Sequence, residues 1–166
     1  NFIPFPILTT DRLTLRQLST TDKQNIFTLR SSPEINKYLD RQPSKTIEDA
    51  INFINAINNS IKKNDSLYWA ITLTNSKTFV GTICLFDFSE EKNTCEIGYE
   101  PLTDFQGQGI MIEAAEKIID YVFETMKLQK IEAFTHIDSQ HSTKLLENLG
   151  FKKLTDVGTE NPDYIS

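Results

Sequence analysis

Two glycines stand out by type and spacing. Gly107 and Gly109 lie in Asp104-Phe105-Gln106-Gly107-Gln108-Gly109, after a strand-like segment and before the best-patterned helix of the chain. Glycines let backbone N–H groups approach a ligand closely, and a helix N-terminus carries partial positive charge. Strand, glycine-rich loop and helix is therefore an arrangement that binds phosphate. A tight turn needs the same glycines, so the glycines alone leave both readings open. Gly109 is followed by Ile110-Met111 rather than Lys-Ser/Thr, and Ile112 stands where a dinucleotide fingerprint needs its third glycine, so neither nucleotide motif is present. Cys84 and Cys95 lie apart in a chain with two histidines and no CxxC, which gives neither a disulfide framework nor a zinc ligand set. Both read as buried thiols, no metal is expected, and His136 and His141 read as surface imidazoles.

The elements that position this loop follow from periodicity. Arg12 to Leu18 alternates polar and apolar residues as a half-buried strand does. Thr21-Asp22 opens a helical segment broken at Pro33, and Thr46-Ile47-Glu48-Asp49 caps a helix running to about Lys62. Ser66 to Thr74 and Thr78 to Phe88, rich in aromatic and β-branched residues, make a hairpin around Asn75-Ser76-Lys77. A second turn at Glu90-Glu91-Lys92-Asn93 leads to a strand over Cys95 to Glu100, stopped by Pro101. After the loop, Met111, Ala115, Ile118, Ile119, Val122 and Met126 form one helical stripe. Lys130 to Ile137 is a strand and Ser142 to Asn148 a helix ending at Gly150; Phe151 starts a further strand, and a turn over Gly158 to Pro162 leads to a last one at Asp163 to Ser166. Trp69 and the phenylalanines read as core. The alternation of elements predicts one α/β (α+β) domain over residues 1–166.

Composition agrees with an ordinary core. The chain has 166 residues, 39% hydrophobic and 24% charged, with six Gly and six Pro, so disordered and repetitive classes are excluded. Its formal net charge of −6 disfavours nucleic acid and anionic membrane as partners and favours a cationic one. No apolar run reaches the roughly 18 residues that span a bilayer, and the start lacks a signal-peptide layout, so a reducing, cytoplasmic location is expected.

Several segments together resemble a known family. Phe105-Gln106-Gly107-Gln108-Gly109-Ile110-Met111-Ile112-Glu113-Ala114 resembles the acetyl-CoA loop of the GNAT acetyltransferases. Leu8 to Arg16 is similar to the opening strand of the branch named for the ribosomal-protein N-terminal acetyltransferases, RimJ and RimL. Glu96-Ile97-Gly98-Tyr99 is similar to that branch's fourth strand, and Ser142 through Leu149-Gly150-Phe151 to its NxxS…LGF helix. Three positions depart from the wider pattern. Asp104 replaces Gln or Arg, Gln108 replaces a lysine often found between the glycines, and Ser139 replaces the asparagine of NxxS.

The resemblance implies a GNAT fold, a mixed and mostly antiparallel central sheet of about six to seven strands flanked by helices. It also implies an N-acetyltransferase that uses acetyl-CoA as acetyl donor, with no metal, and transfers the acetyl group to a primary amine by direct attack. Such a reaction needs a proton acceptor for the ammonium, a donor for the oxyanion, and a proton for the departing thiolate. By resemblance Glu96 is the candidate general base, a solvated strand residue opposite buried Cys95 and Ile97 being its other reading, with Glu100 on the same strand face as the alternative base. Ser142 is the candidate acid, a helix-capping role being its other reading. Ile97, Gly98, Tyr99, Gln106, Gly107, Gln108, Gly109, Ile110, Met111 and Ser139 are the implied acetyl-CoA contacts. The family's acid tyrosine would fall at Leu146, so that version of the mechanism is absent, and nothing local marks Tyr164 as its substitute. The implied acceptor is a protein N-terminus or a small cationic amine such as a polyamine or aminoglycoside. A homodimer is an arrangement the sequence leaves open. The competing expectation is a catalytically idle acyl-CoA-binding or regulatory domain.

Overall fold

The computed structural model describes residues 2, 4–31, 45–102, 109–135, 140–151, 153–154 and 163–165; for 134–135, 140–143, 153–154 and 163–165 it describes the backbone alone. In chain order these are β1 Leu8–Thr9, β2 Leu13–Gln17, a 3-10 turn Thr20–Asp22, α1 Lys23–Ser31, α2 Ile47–Lys62, β3 Leu67–Leu73, β4 Phe79–Ser89 and β5 Thr94–Pro101. Then come α3 Ile110–Asp120, a π-helical turn Tyr121–Thr125, β6 Lys130–Thr135, α4 Gln140–Asn148, β7 Lys153–Leu154 and β8 Asp163–Ile165. The strands form one sheet in the order β1-β2-β3-β4-β5-β6-β8-β7. Every pairing is antiparallel except that of β5 with β6. Two of the eight strands are only two residues long.

Helices cover both faces, so the central strands lose their alternation and read as continuous apolar runs. In β3, Leu67, Trp69 and Ile71 join one cluster with Leu13, Leu15, Ile83, Ile97 and the α3 stripe Ile110, Met111, Ala114, Ala115 and Ile118. Tyr68 and Ala70 face the other way, onto Ile26 of α1 and Ala50, Ile54 and Ile61 of α2. The start of α2 is fixed by a capping box. Thr46 Oγ1 accepts the Asp49 N–H at 3.1 Å, and Asp49 Oδ2 accepts the Thr46 N–H at 3.2 Å. Trp69 is fully buried, and its indole N–H donates to the Pro6 carbonyl at 2.8 Å.

Several expectations need adjustment. The strand expected from Phe151 begins at Lys153, and Phe151 itself is buried in the core. Phe123 is 42% exposed, in the π-helical turn where Val122 is buried and the Tyr121 ring packs against Trp69. The two cysteines are free thiols on opposite faces; Cys95 is buried and Cys84 only half-buried. The second helical piece after Pro33 and the turn over 158–162 lie outside the described residues.

Candidate functional site

A fork in the sheet organises the site. The β5–β6 ladder runs Thr94↔Lys130, Cys95↔Ile131, Glu96↔Glu132 and ends there, whereas the β4–β5 ladder continues to Gly81↔Pro101. Past the vertex, β6 takes β8 as its partner, from Ala133↔Ile165 to Thr135↔Asp163. Ile97 and Gly98 are thus the first β5 residues beyond the vertex, and the two parallel strands part toward their C-terminal ends. The chain leaving β5 reaches Gly109 and α3 at that same end.

Glu96 stands at the vertex, half-buried, on the face covered by α1 and α2. Burial, the charge and hydrogen bond of Asp87, and the charge of Glu132 push its carboxyl up to about 7. Such a group exchanges protons near neutral pH. On the same face, cross-strand rows align Tyr68, Cys84 and Gly98, and next to them Ala70, Thr82 and Glu100. Burial and then the charge of Glu100 raise both the Tyr68 hydroxyl and the Cys84 thiol, the latter to about 12. Neither ionises near neutral pH, so Cys84 is no nucleophile there. A Cβ on Gly98 would stand 3.3 Å from Cys84 Sγ and from Phe86 Cε1, so this strand position has little room for a side chain.

The start of α3 is the second part of the site. Gly109 caps it at φ +75°, a left-handed conformation that favours glycine. The first intrahelical bond runs from Glu113 N–H to the Gly109 carbonyl at 3.1 Å, so the N–H groups of Ile110, Met111 and Ile112 precede it and point out of the helix start. The Ile110 and Met111 side chains are buried in the core, which leaves their backbone as the part available to a ligand. Glu113 ties this helix start to the β1–β2 turn. It accepts the Thr10 hydroxyl, the Arg12 N–H at 3.1 Å and Arg12 Nε at 2.7 Å. The Arg12 guanidinium thereby lies beside Gly109, with one terminal nitrogen 3.7 Å from where a Cβ would be. Helix N–H groups with a guanidinium beside them form a donor set suited to a pyrophosphate.

The structure therefore brings Glu96, Ile97, Gly98 and Tyr99 together along the fork, with Gly109, Ile110 and Met111 on the helix that follows. Gln106, Gly107, Gln108, Ser139 and His136 lie outside the described residues, as do the side chains of His141 and Ser142. Ser142 falls in the first turn of α4. Leu146 is buried in the core. Glu100 sits two residues past Gly98, opposite Thr82 and away from the vertex. Asp87, Glu132 and Arg12 are not singled out by the sequence. The available signal for Asp87 is an acidic residue, a poor strand former, between two phenylalanines. Among the described residues no group of side chains is arranged to hold a metal ion, and no helix is long and apolar enough to cross a membrane.

Comparison with known proteins agrees with this geometry. Residues 12–152 match the Acetyltransferase (GNAT) domain family. YoaA of Bacillus subtilis, named an uncharacterized N-acetyltransferase, is 32% identical over 149 residues, covering 90% of this chain and 84% of YoaA. The ribosomal-protein-S5-alanine acetyltransferase of Vibrio fischeri superposes with a TM-score of 0.78 at 22% identity, over 96% of this chain and 93% of that one. RimL, a ribosomal L7/L12 alpha-N-protein acetyltransferase solved with coenzyme A, superposes with a TM-score of 0.81 at 17% identity, over 96% of this chain and 93% of that one. Fold and site define a GNAT acetyltransferase architecture. The chain belongs to that family, and its fold is similar to those of these ribosomal-protein acetyltransferases.

Proposed function

We propose that residues 1–166 form a single-domain, acetyl-CoA-dependent N-acetyltransferase that acetylates a primary amine, either a protein N-terminus or a small cationic amine. The observation that carries this reading is the fork, with a carboxyl that titrates near neutral pH at its vertex. The donor fits the residues beyond it, since the α3 helix start, left-handed at Gly109 and flanked by Arg12, presents N–H groups and positive charge for a pyrophosphate. Bound acetyl-CoA supplies an activated acetyl thioester.

The chain's own residues then have distinct tasks. Glu96 takes a proton from the acceptor ammonium, leaving a neutral amine to attack, while it becomes a neutral carboxylic acid. Backbone N–H groups from Ile97 to Tyr99 are the proposed donors to the charge that develops on the acetyl oxygen. Gln106, Gly107, Gln108, Gly109, Ile110 and Met111 are the proposed pyrophosphate loop, with Ser139 beside the pantetheine arm and Ser142 capping its helix or protonating the thiolate. The net charge of −6 favours a cationic acceptor. A cytoplasmic protein acting on an N-terminus or polyamine fits this reading, and the RimL likeness supports the N-terminal acceptor.

The test is the pH dependence of kcat/KM in Glu96→Gln. The wild-type profile is expected to fall on the acid side with a midpoint near the Glu96 value of about 7, and the variant to be slow and to lack that limb. A variant with the wild-type profile would overturn the role given to Glu96.

A further inference from the structure

The irregularity in β4 beside the vertex has a chemical consequence. Between the pairs Phe86↔Glu96 and Ser89↔Thr94, β4 has two residues, Asp87 and Phe88, where β5 has one, Cys95. This is a β-bulge, and its first residue, Asp87, has φ +49°, in the left-handed region that usually calls for glycine. In a regular ladder Asp87 would oppose Cys95 and point into the apolar core. The bulge instead lets Phe88 pack against the cluster that holds Cys95, with its ring 5.5 Å from that of Phe2, and Asp87 hydrogen-bonds the Glu96 carboxyl.

Resting on the reading of Glu96 as proton acceptor, we infer that Asp87 is a positioning residue for the reaction: the bulge turns its carboxyl onto Glu96 and holds that side chain at the fork. Bulges re-aim side chains next to active sites, and aspartate is among the few residues besides glycine that adopt this conformation readily, so the bulge position can carry a carboxyl. Two carboxyls sharing a hydrogen bond need one proton between them, so the Asp87 charge makes Glu96 a better proton acceptor from an ammonium than a solvated glutamate is. The other titratable groups facing Glu96 are few among the described residues. They are Glu132 on β6, with Lys130 3.9 Å from it, and, one cross-strand row along the same face, the Cys84 thiol and Tyr68 hydroxyl, with Glu100 a row beyond; the adjacent Cys95 thiol points to the other face. Glu132 acts through charge alone, whereas Asp87 acts through charge and a hydrogen bond.

The experiment is a carboxyl carbon NMR titration of the full chain labelled at glutamate, with the Glu96 signal assigned by its loss in Glu96→Gln. Asp87→Asn and Asp87→Gly both suit a left-handed backbone and remove the charge, so at least one keeps the bulge. Each is expected to lower the Glu96 midpoint by about one pH unit or more, and to move the acid limb of kcat/KM down with it. Glu132→Gln is expected to produce a smaller shift. A Glu96 midpoint within about 0.3 unit of wild type in both Asp87 variants would overturn the inference. If instead the midpoint moves while the acid limb of kcat/KM stays in place, Glu96 is not the proton acceptor. That result overturns the catalytic reading and leaves Asp87 a structural partner only.

Discussion

Replacing Glu113 by alanine tests how the donor end of the site is held. Its carboxylate accepts three hydrogen bonds, from the Thr10 hydroxyl, the Arg12 N–H and Arg12 Nε, across more than a hundred residues of sequence. Hydrogen bonds to a charged group contribute about 1.5–3 kcal/mol each when well buried. Here the Arg12 side chain is 48% exposed and that of Glu113 22%, and exposed ion pairs contribute only about 0–1 kcal/mol, so the sum is discounted heavily. A loss of about 2 kcal/mol is expected, or about 4–8 °C in Tm for a chain of this size. The sign with pH is fixed by the same contacts. Thr10 and Arg12 outweigh burial and hold the Glu113 carboxyl below its ordinary 4.5, so its contribution is present above that value and disappears as pH falls through the folded one. Urea unfolding followed by the fluorescence of the single tryptophan, Trp69, at pH 7 and again near pH 3 measures both effects. A difference under about 0.5 kcal/mol at pH 7, or one that does not narrow in acid, would refute the clamp.

Two further perturbations follow from the same geometry. Gly109→Val places a β-branched residue at φ +75° at the helix start and is expected to abolish coenzyme A binding by calorimetry while the far-UV circular dichroism is kept; undiminished binding would remove the pyrophosphate assignment. Glu96 has the opposite linkage to Glu113. Its folded value is raised from 4.5 to about 7, so the stability it contributes is fully present below pH 4.5 and is lost as pH rises to about 7. Chemical unfolding across that window should show a decline that Glu96→Gln lacks, and equal slopes for the two proteins would contradict the raised value.

Local signals in the sequence carried the elements well. The Thr46–Asp49 capping box places the start of α2 at Ile47, and the alternation over Arg12 to Leu18 contains β2, which runs from Leu13 to Gln17. The hairpin of β3 and β4 is legible because its aromatic and β-branched runs flank a polar turn. The bulge is not legible, since Phe86-Asp87-Phe88 alternates as a regular strand would and one extra residue leaves no trace in a pattern of period two. The fork is equally hidden. It arises where β6 exchanges β5 for β8, a pairing between segments far apart in the chain. Glu96 and Gly109 emerge from motif resemblance, which fixes positions along the chain. Asp87, Glu132 and the Arg12–Glu113 pair join them only through tertiary contact, so their roles depend on register rather than on local sequence.

The central question is whether the fork transfers an acetyl group to an amine. The direct measurement is release of coenzyme A thiol from acetyl-CoA, with N-terminal peptides, polyamines and aminoglycosides as acceptors and a no-amine control. Thiol release that depends on an amine, and acetylated amine recovered in equal amount, is the predicted result. Calorimetric binding of acetyl-CoA with no amine-dependent release across the panel would contradict it and would assign the fold to an idle acyl-CoA-binding domain.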